Sequence, residues 1–74
     1  MKIVKLTFVP GGGFPSGIGH MRKIVPDFLG EPKVVESDAI KIVVEVEQIY
    51  QGDVVGGFNS HGWILKSEEI KEEA

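Results

Sequence analysis

Residues 40–50, IKIVVEVEQIY, constrain the fold more than any other stretch. Ile40, Ile42, Val44, Val46 and Tyr50 fall on one face of an extended chain, and Lys41, Glu45 and Glu47 fall on the other. Period-two alternation with β-branched residues predicts a half-buried strand. Eleven residues would span roughly 36 Å, more than a small domain holds flat. A bend or bulge is expected near Gln48, the polar residue on the apolar face. One curved strand would then serve both sides of a small barrel.

The rest of the chain supplies short partners for that strand. KIVKLTFV (2–9) alternates, with Val4, Leu6 and Phe8 on one face, and predicts a second strand. KVV (33–35) is a short strand candidate, followed by turn chemistry in ESDA (36–39). Phe28 and Leu29 are expected to fold back onto the core from the loop PDFLGEP (26–32). VVGGF (54–58) and WIL (63–65) read as two hairpin arms joined by NSHG (59–62), with a tight turn at QGD (51–53). Ser67 stands where a helix cap would, and Glu68 and Glu69 suit the positive end of a helix dipole. Residues 67–74 therefore read as an acidic C-terminal helical turn or tail.

The expected fold class is mainly β: a small SH3-like or open barrel of four to five strands with a short C-terminal helical turn. The alternative is α+β, an antiparallel sheet with one short helix at 16–25. Ile18, Met21 and Val25 have the spacing of a helical face there, and Pro26 would end the helix. Residues 1–74 form a single domain. At 74 residues a chain buries only about 60% of the surface its unfolded form exposes. It contains no cysteine, so no disulfide supports the core. Self-association through a sheet edge, giving a homo-oligomer, would be one way to add support.

Residues 52–73, GDVVGGFNSHGWILKSEEIKEE, resemble the tail of the small-barrel chaperones that mature hydrogenases. Those run from a Gly-Asp turn through an apolar strand into an acidic helix. That family carries a cysteine directly after the initiating methionine, whereas Lys2 stands there in this chain. The resemblance implies a small barrel and no activity.

Charge narrows the partners. The formal net charge is −3. Residues 1–36 hold five cations against three carboxylates, and residues 37–74 hold three against eight. Scattered cations on an acidic chain are a poor footprint for nucleic acid, and they suit a protein that approaches basic surfaces. Apolar runs are too short for a transmembrane helix, so no membrane association is expected. MKIVKLTF lacks the features of a signal peptide. The absence of cysteine fits a cytoplasmic setting.

The Gly/Pro-rich loop at 10–20, PGGGFPSGIGH, is the first candidate site. A glycine loop that follows a strand and precedes cations has the topology of an anion cradle. Gly17, Gly19, His20, Arg22 and Lys23 would be the ligand-binding residues. GIGHMR (17–22) places arginine where G-x-G-x-x-G needs its third glycine, and no phosphate-loop signature is present. Phe14 stands among the glycines as either a lid or a residue presented to a partner.

His61 and Trp63 form the second candidate. Trp63 is either a core anchor or a contact at the barrel mouth. His61 could act as a base, but its neighbour Ser60 points away from it in a turn. Glu45 and Glu47 read as a solvated sheet face. No catalytic constellation, metal motif or cofactor motif emerges. The preferred expectation is a small non-catalytic interaction module that binds a protein partner through Phe14, His61 and Trp63. The alternative is an anion or nucleotide binder that uses the glycine loop.

Overall fold

The structure, a computed structural model, describes residues 2–72, with the backbone alone for Glu72. The elements run β1 (Lys2–Pro10), α1 (Ile18–Ile24), β2 (Lys33–Asp38), β3 (Lys41–Glu47), α2 (Gln51–Ser60) and β4 (Trp63–Glu72). Short 3₁₀ turns follow α1 at Val25–Asp27 and precede α2 at Gln48–Tyr50. The four strands form one antiparallel sheet in the order β2-β3-β1-β4. Strands β1 and β2 are thus parallel to each other with β3 between them, and β3 and β4 are parallel with β1 between them. That is the split β-α-β arrangement, made twice.

The fold is mainly β, as the alternation predicts, but the sheet is not closed into a barrel. β2 and β4 are both edges. The helices supply what barrel closure would have supplied, because they cover one face. Val4, Leu6 and Phe8 of β1 and Ile42, Val44 and Val46 of β3 point to that face. They are buried against Met21, Val25, Val54, Phe58 and Trp63. Phe8 and Phe58 stack with ring centres 3.7 Å apart and planes 3° apart, which joins β1 to α2. Val43 faces the other way, between Thr7 and Glu36 in the register, yet it is buried in mid-sheet.

The long-strand expectation is corrected in its second half. β3 stops at Glu47, and Gln48 opens a 3₁₀ turn instead of a bend in a continuing strand. Ile40 and Ile49, at the two ends of the expected ribbon, are exposed. Helix α1 forms within the span expected for it and stops before Pro26. Phe28 packs onto the core, its ring perpendicular to that of Phe58 with ring centres 5.7 Å apart, while Leu29 stays exposed.

Two further expectations fail. VVGGF is part of helix α2, not a hairpin arm, and QGD before it is the first turn of that helix, not a tight turn between strands. Val54 and Phe58 stand four residues apart, the spacing of one helical face, and both are buried. Gly57 is there to let a ring approach: a Cβ at that position would lie 2.9 Å from Phe28 Cε2. The C-terminal helical turn is also corrected. Residues 67–72 belong to β4 and pair with β1 from Lys2↔Glu72 to Thr7↔Ser67. Residues 73–74 of that expected turn lie outside the described residues. β1 has a second side of backbone donors and acceptors, and pairing along it satisfies more groups than an isolated acidic turn would. With both changes, the resemblance to the hydrogenase-maturation chaperones loses its structural basis.

Candidate functional site

The glycine loop and the α2–β4 turn meet at the end of the sheet where β1 finishes and β4 begins. Pro10 pairs with Trp63 there. The chain then leaves the sheet but stays attached. Gly11 donates its N–H to the carbonyl of Gly62 at 2.7 Å, and Ser16 donates its N–H to the carbonyl of His61 at 2.8 Å. Trp63 Nε1 donates to the Ser16 carbonyl at 2.8 Å. Ser16 Oγ and His61 Nδ1 complete the clamp with a hydrogen bond of 3.2 Å.

Glycine at position 62 makes the approach possible for two reasons. Its φ is +82°, and a Cβ there would lie 2.6 Å from Pro15 Cα. Between the pinned points Gly11 and Ser16, Gly13 turns the chain at φ +97°. Phe14 sits at the tip, fully exposed. The loop is therefore a short projection on a fixed base, and not the free arm that its composition suggests. Ile64 lies at the base of the loop and is 51% exposed; a Cβ on Gly11 would come 3.2 Å from its Cγ2.

The imidazole of His61 is held on three sides. Phe28 lies parallel to it with ring centres 6.4 Å apart. His20, from α1, presents an edge with centres 5.7 Å apart. Ser16 holds Nδ1. A hydroxyl on an imidazole is the first element of a nucleophile–base pair. Here both backbone groups of Ser16 are committed to the clamp. The pocket lined by Lys2, Glu47, Gln48 and Ile49 lies at the opposite end of β1, roughly 26 Å away for a strand of this length. The pair helps to hold the loop in place.

The residues expected to bind an anion do not converge. Gly17 precedes α1 in an extended conformation and accepts the Met21 N–H. Arg22 and Lys23 lie in the last turn of the helix, about 7 Å further along its axis. There they complement the negative end of the helix dipole. Gly17 and Gly19 have open space where a side chain would be, so packing requires glycine at neither. His20 is exposed and turns toward His61 instead.

The three residues expected to meet a partner divide. Phe14 is at the surface, His61 is half-buried, and Trp63 is 1% exposed. Trp63 is the core anchor of the two roles open to it. No pattern in the sequence marks Ser16 as the hub of the clamp, because its partners His61 and Trp63 lie 45 and 47 residues away. Ser16 makes no side-chain cap bond to α1. Among the described residues no group of three histidine, cysteine or carboxylate side chains is placed to hold a metal ion, and no helix is long and apolar enough to cross a membrane. Comparison of the chain with known protein families, with curated proteins and with solved structures finds no match.

Proposed function

We propose that this chain is a small non-catalytic interaction module that engages a protein partner through the projection at Gly12–Phe14. The observation that carries this reading is the contrast between Phe14 and its base. A large aromatic is fully exposed while Gly11 and Ser16, on either side of it, are hydrogen-bonded to the 61–62 turn. Burying such a ring on a partner yields the gain of a large apolar side chain. The fixed base lowers the ordering cost that a free loop would carry. Ile64 widens the apolar surface beside the loop, and the half-buried edge of His61 offers a polar contact at its rim. A shallow apolar pocket with a basic rim is the complementary surface, given the net charge of −3.

An edge-to-edge dimer draws less support. β4 has a register shift between Thr7 and Phe8 of its partner and carries Lys66, Glu68, Glu69 and Lys71. β2 has its own shift between Val34 and Glu36 and begins directly after Pro32. Bulges, charge and proline are the features that discourage added strands.

Affinity capture from the source cell with the wild-type chain and with Phe14→Ala tests the reading. Loss of a specific partner with Phe14→Ala, at an unchanged melting temperature, is the expected result. Equal capture by both chains would overturn it. A melt raised by phosphate or nucleotide, and no longer raised after Arg22→Ala, would point to the anion-binding alternative instead.

A further inference from the structure

We propose that His20 and His61 form a two-histidine site for a borderline transition-metal cation such as Zn²⁺, Ni²⁺ or Cu²⁺. The two imidazoles come from α1 and from the turn after α2, forty-one residues apart in sequence, and their ring centres lie 5.7 Å apart. Zinc–imidazole bonds are about 2.0–2.1 Å, and a ring nitrogen lies about 1.1 Å from its ring centre, so two imidazoles at a tetrahedral angle on one ion have centres roughly 5.2 Å apart. The observed spacing exceeds that by half an ångström. His20 is exposed on a helix surface, and a small rotation of its side chain closes the difference.

His61 already has the support that ligating histidines need. A metal-binding imidazole is usually oriented by a hydrogen bond from its other nitrogen. Ser16 Oγ stands 3.2 Å from Nδ1. With Nδ1–H donating to that hydroxyl, Nε2 keeps its lone pair for a cation. The ring of Phe28, stacked against His61, limits rotation of the imidazole. Water would fill the remaining coordination positions. Lys23 lies one turn along the same face of α1 and keeps the affinity below that of a site with carboxylate ligands. Nitrogen donors favour these ions over Mg²⁺ and Ca²⁺. The chain has no cysteine and only two histidines, so no thiolate competes for the ion.

The inference stands apart from partner binding by Phe14, and its test uses the metal alone. Melts of the full chain are recorded with zinc, nickel or copper chloride, with magnesium chloride as control and with chelator added back. Amide spectra with substoichiometric Cu²⁺ locate the ion. The expected result is a melting temperature raised by several degrees with Zn²⁺ but not with Mg²⁺, together with broadening confined to residues around 16–20 and 60–62. His20→Ala, at an exposed position, should fold normally and lose the shift. Ser16→Ala should weaken binding roughly tenfold. A Zn²⁺ shift that survives His20→Ala, no shift at all, or Cu²⁺ broadening centred on Glu68 and Glu69 would each overturn the site.

Discussion

Trp63 donates its indole N–H to the carbonyl of Ser16 at 2.8 Å, across 47 residues of sequence. The side chain most easily mistaken for a binding surface is thus the bolt that holds the glycine loop to the sheet. Trp63→Phe keeps an aromatic in the core and removes the donor. It leaves the partly buried Ser16 carbonyl without that donor, a loss of roughly 1–3 kcal/mol. Chemical denaturation measures that loss. Amide exchange adds a local test: the Ser16 N–H, bonded to His61, should lose more protection than the amides of β1. Equal stability of the two chains would show that the bond contributes nothing net.

Glycine is required at one position of the clamp and not at another, so the pair makes a controlled comparison. At Gly62 an added Cβ meets Pro15 Cα at 2.6 Å on a backbone with φ +82°, whereas at Gly12 nothing lies within 4 Å. Gly62→Ala should cost roughly 2 kcal/mol or more, from left-handed strain and the collision together. Gly12→Ala should be neutral or stabilising by up to about 1 kcal/mol, because it narrows the unfolded ensemble. Matched urea titrations of the two variants decide. Equal effects would mean that the loop is not seated on the turn.

Most of the sheet was legible because its signal was local. β1 and β3 alternate, and Val4, Leu6, Phe8, Ile42, Val44 and Val46 are buried as that alternation predicts, although Ile40, expected on the same face, is exposed. Helix α1 was legible only in part: the spacing of Ile18, Met21 and Val25 fits a helical face, but Gly17 and Gly19 leave an irregular loop equally open, and the structure forms the helix at Ile18–Ile24. The misreadings occur where tertiary contacts override local preference. VVGGF reads as a hairpin arm, yet it lies in α2, where Val54 and Phe58 reach the core and Gly57 leaves room for the Phe28 ring. Ser67, Glu68 and Glu69 suggest a helix start, yet they form a strand because β1 has a free side. The clamp was hidden for the same reason: no sequence pattern links Ser16 to His61 and Trp63, and only the packed sheet end brings them together.

The Phe8–Phe58 stack is the contact that fixes α2 on the sheet, with ring centres 3.7 Å apart. Phe58 also packs perpendicular to Phe28, with ring centres 5.7 Å apart. Phe58→Ala removes both contacts and should cost roughly 3–5 kcal/mol. A chain of this length has a total stability of roughly 4–11 kcal/mol, so the variant should lose a large share of it and melt at a much lower temperature. Phe58→Leu retains much of the volume and should cost less, roughly 1–2 kcal/mol. Far-ultraviolet dichroism melts distinguish the two. A folded, near-native Phe58→Ala would place the main stability elsewhere.

The charges on β4 should matter far less than its apolar start. Lys71 Nζ lies 2.9 Å from Glu45 Oε2, with both side chains partly open to water. Exposed pairs of this kind contribute about 0–1 kcal/mol and fade with salt. Glu45→Gln should therefore shift the denaturation midpoint only slightly, and the shift should shrink in high salt. A loss comparable to that of Trp63→Phe would show that β4 is held by its ion pair and not by the residues at its N-terminal end.

Presentation and support can be separated at Phe14. The ring is fully exposed, so Phe14→Ala removes no core contact and should change stability by less than about 0.5 kcal/mol. Gly62→Ala, in contrast, keeps Phe14 and disturbs its base. If the fixed base makes binding favourable, both variants should lose partner affinity, the first by losing the anchor and the second by restoring the ordering cost. A binding titration at a temperature where both chains are folded checks this. Phe14→Ala should lose affinity at full stability, and Gly62→Ala should lose part of it with slower association. Full affinity in Gly62→Ala with loss only in Phe14→Ala would keep the aromatic as anchor and remove the clamp from the mechanism.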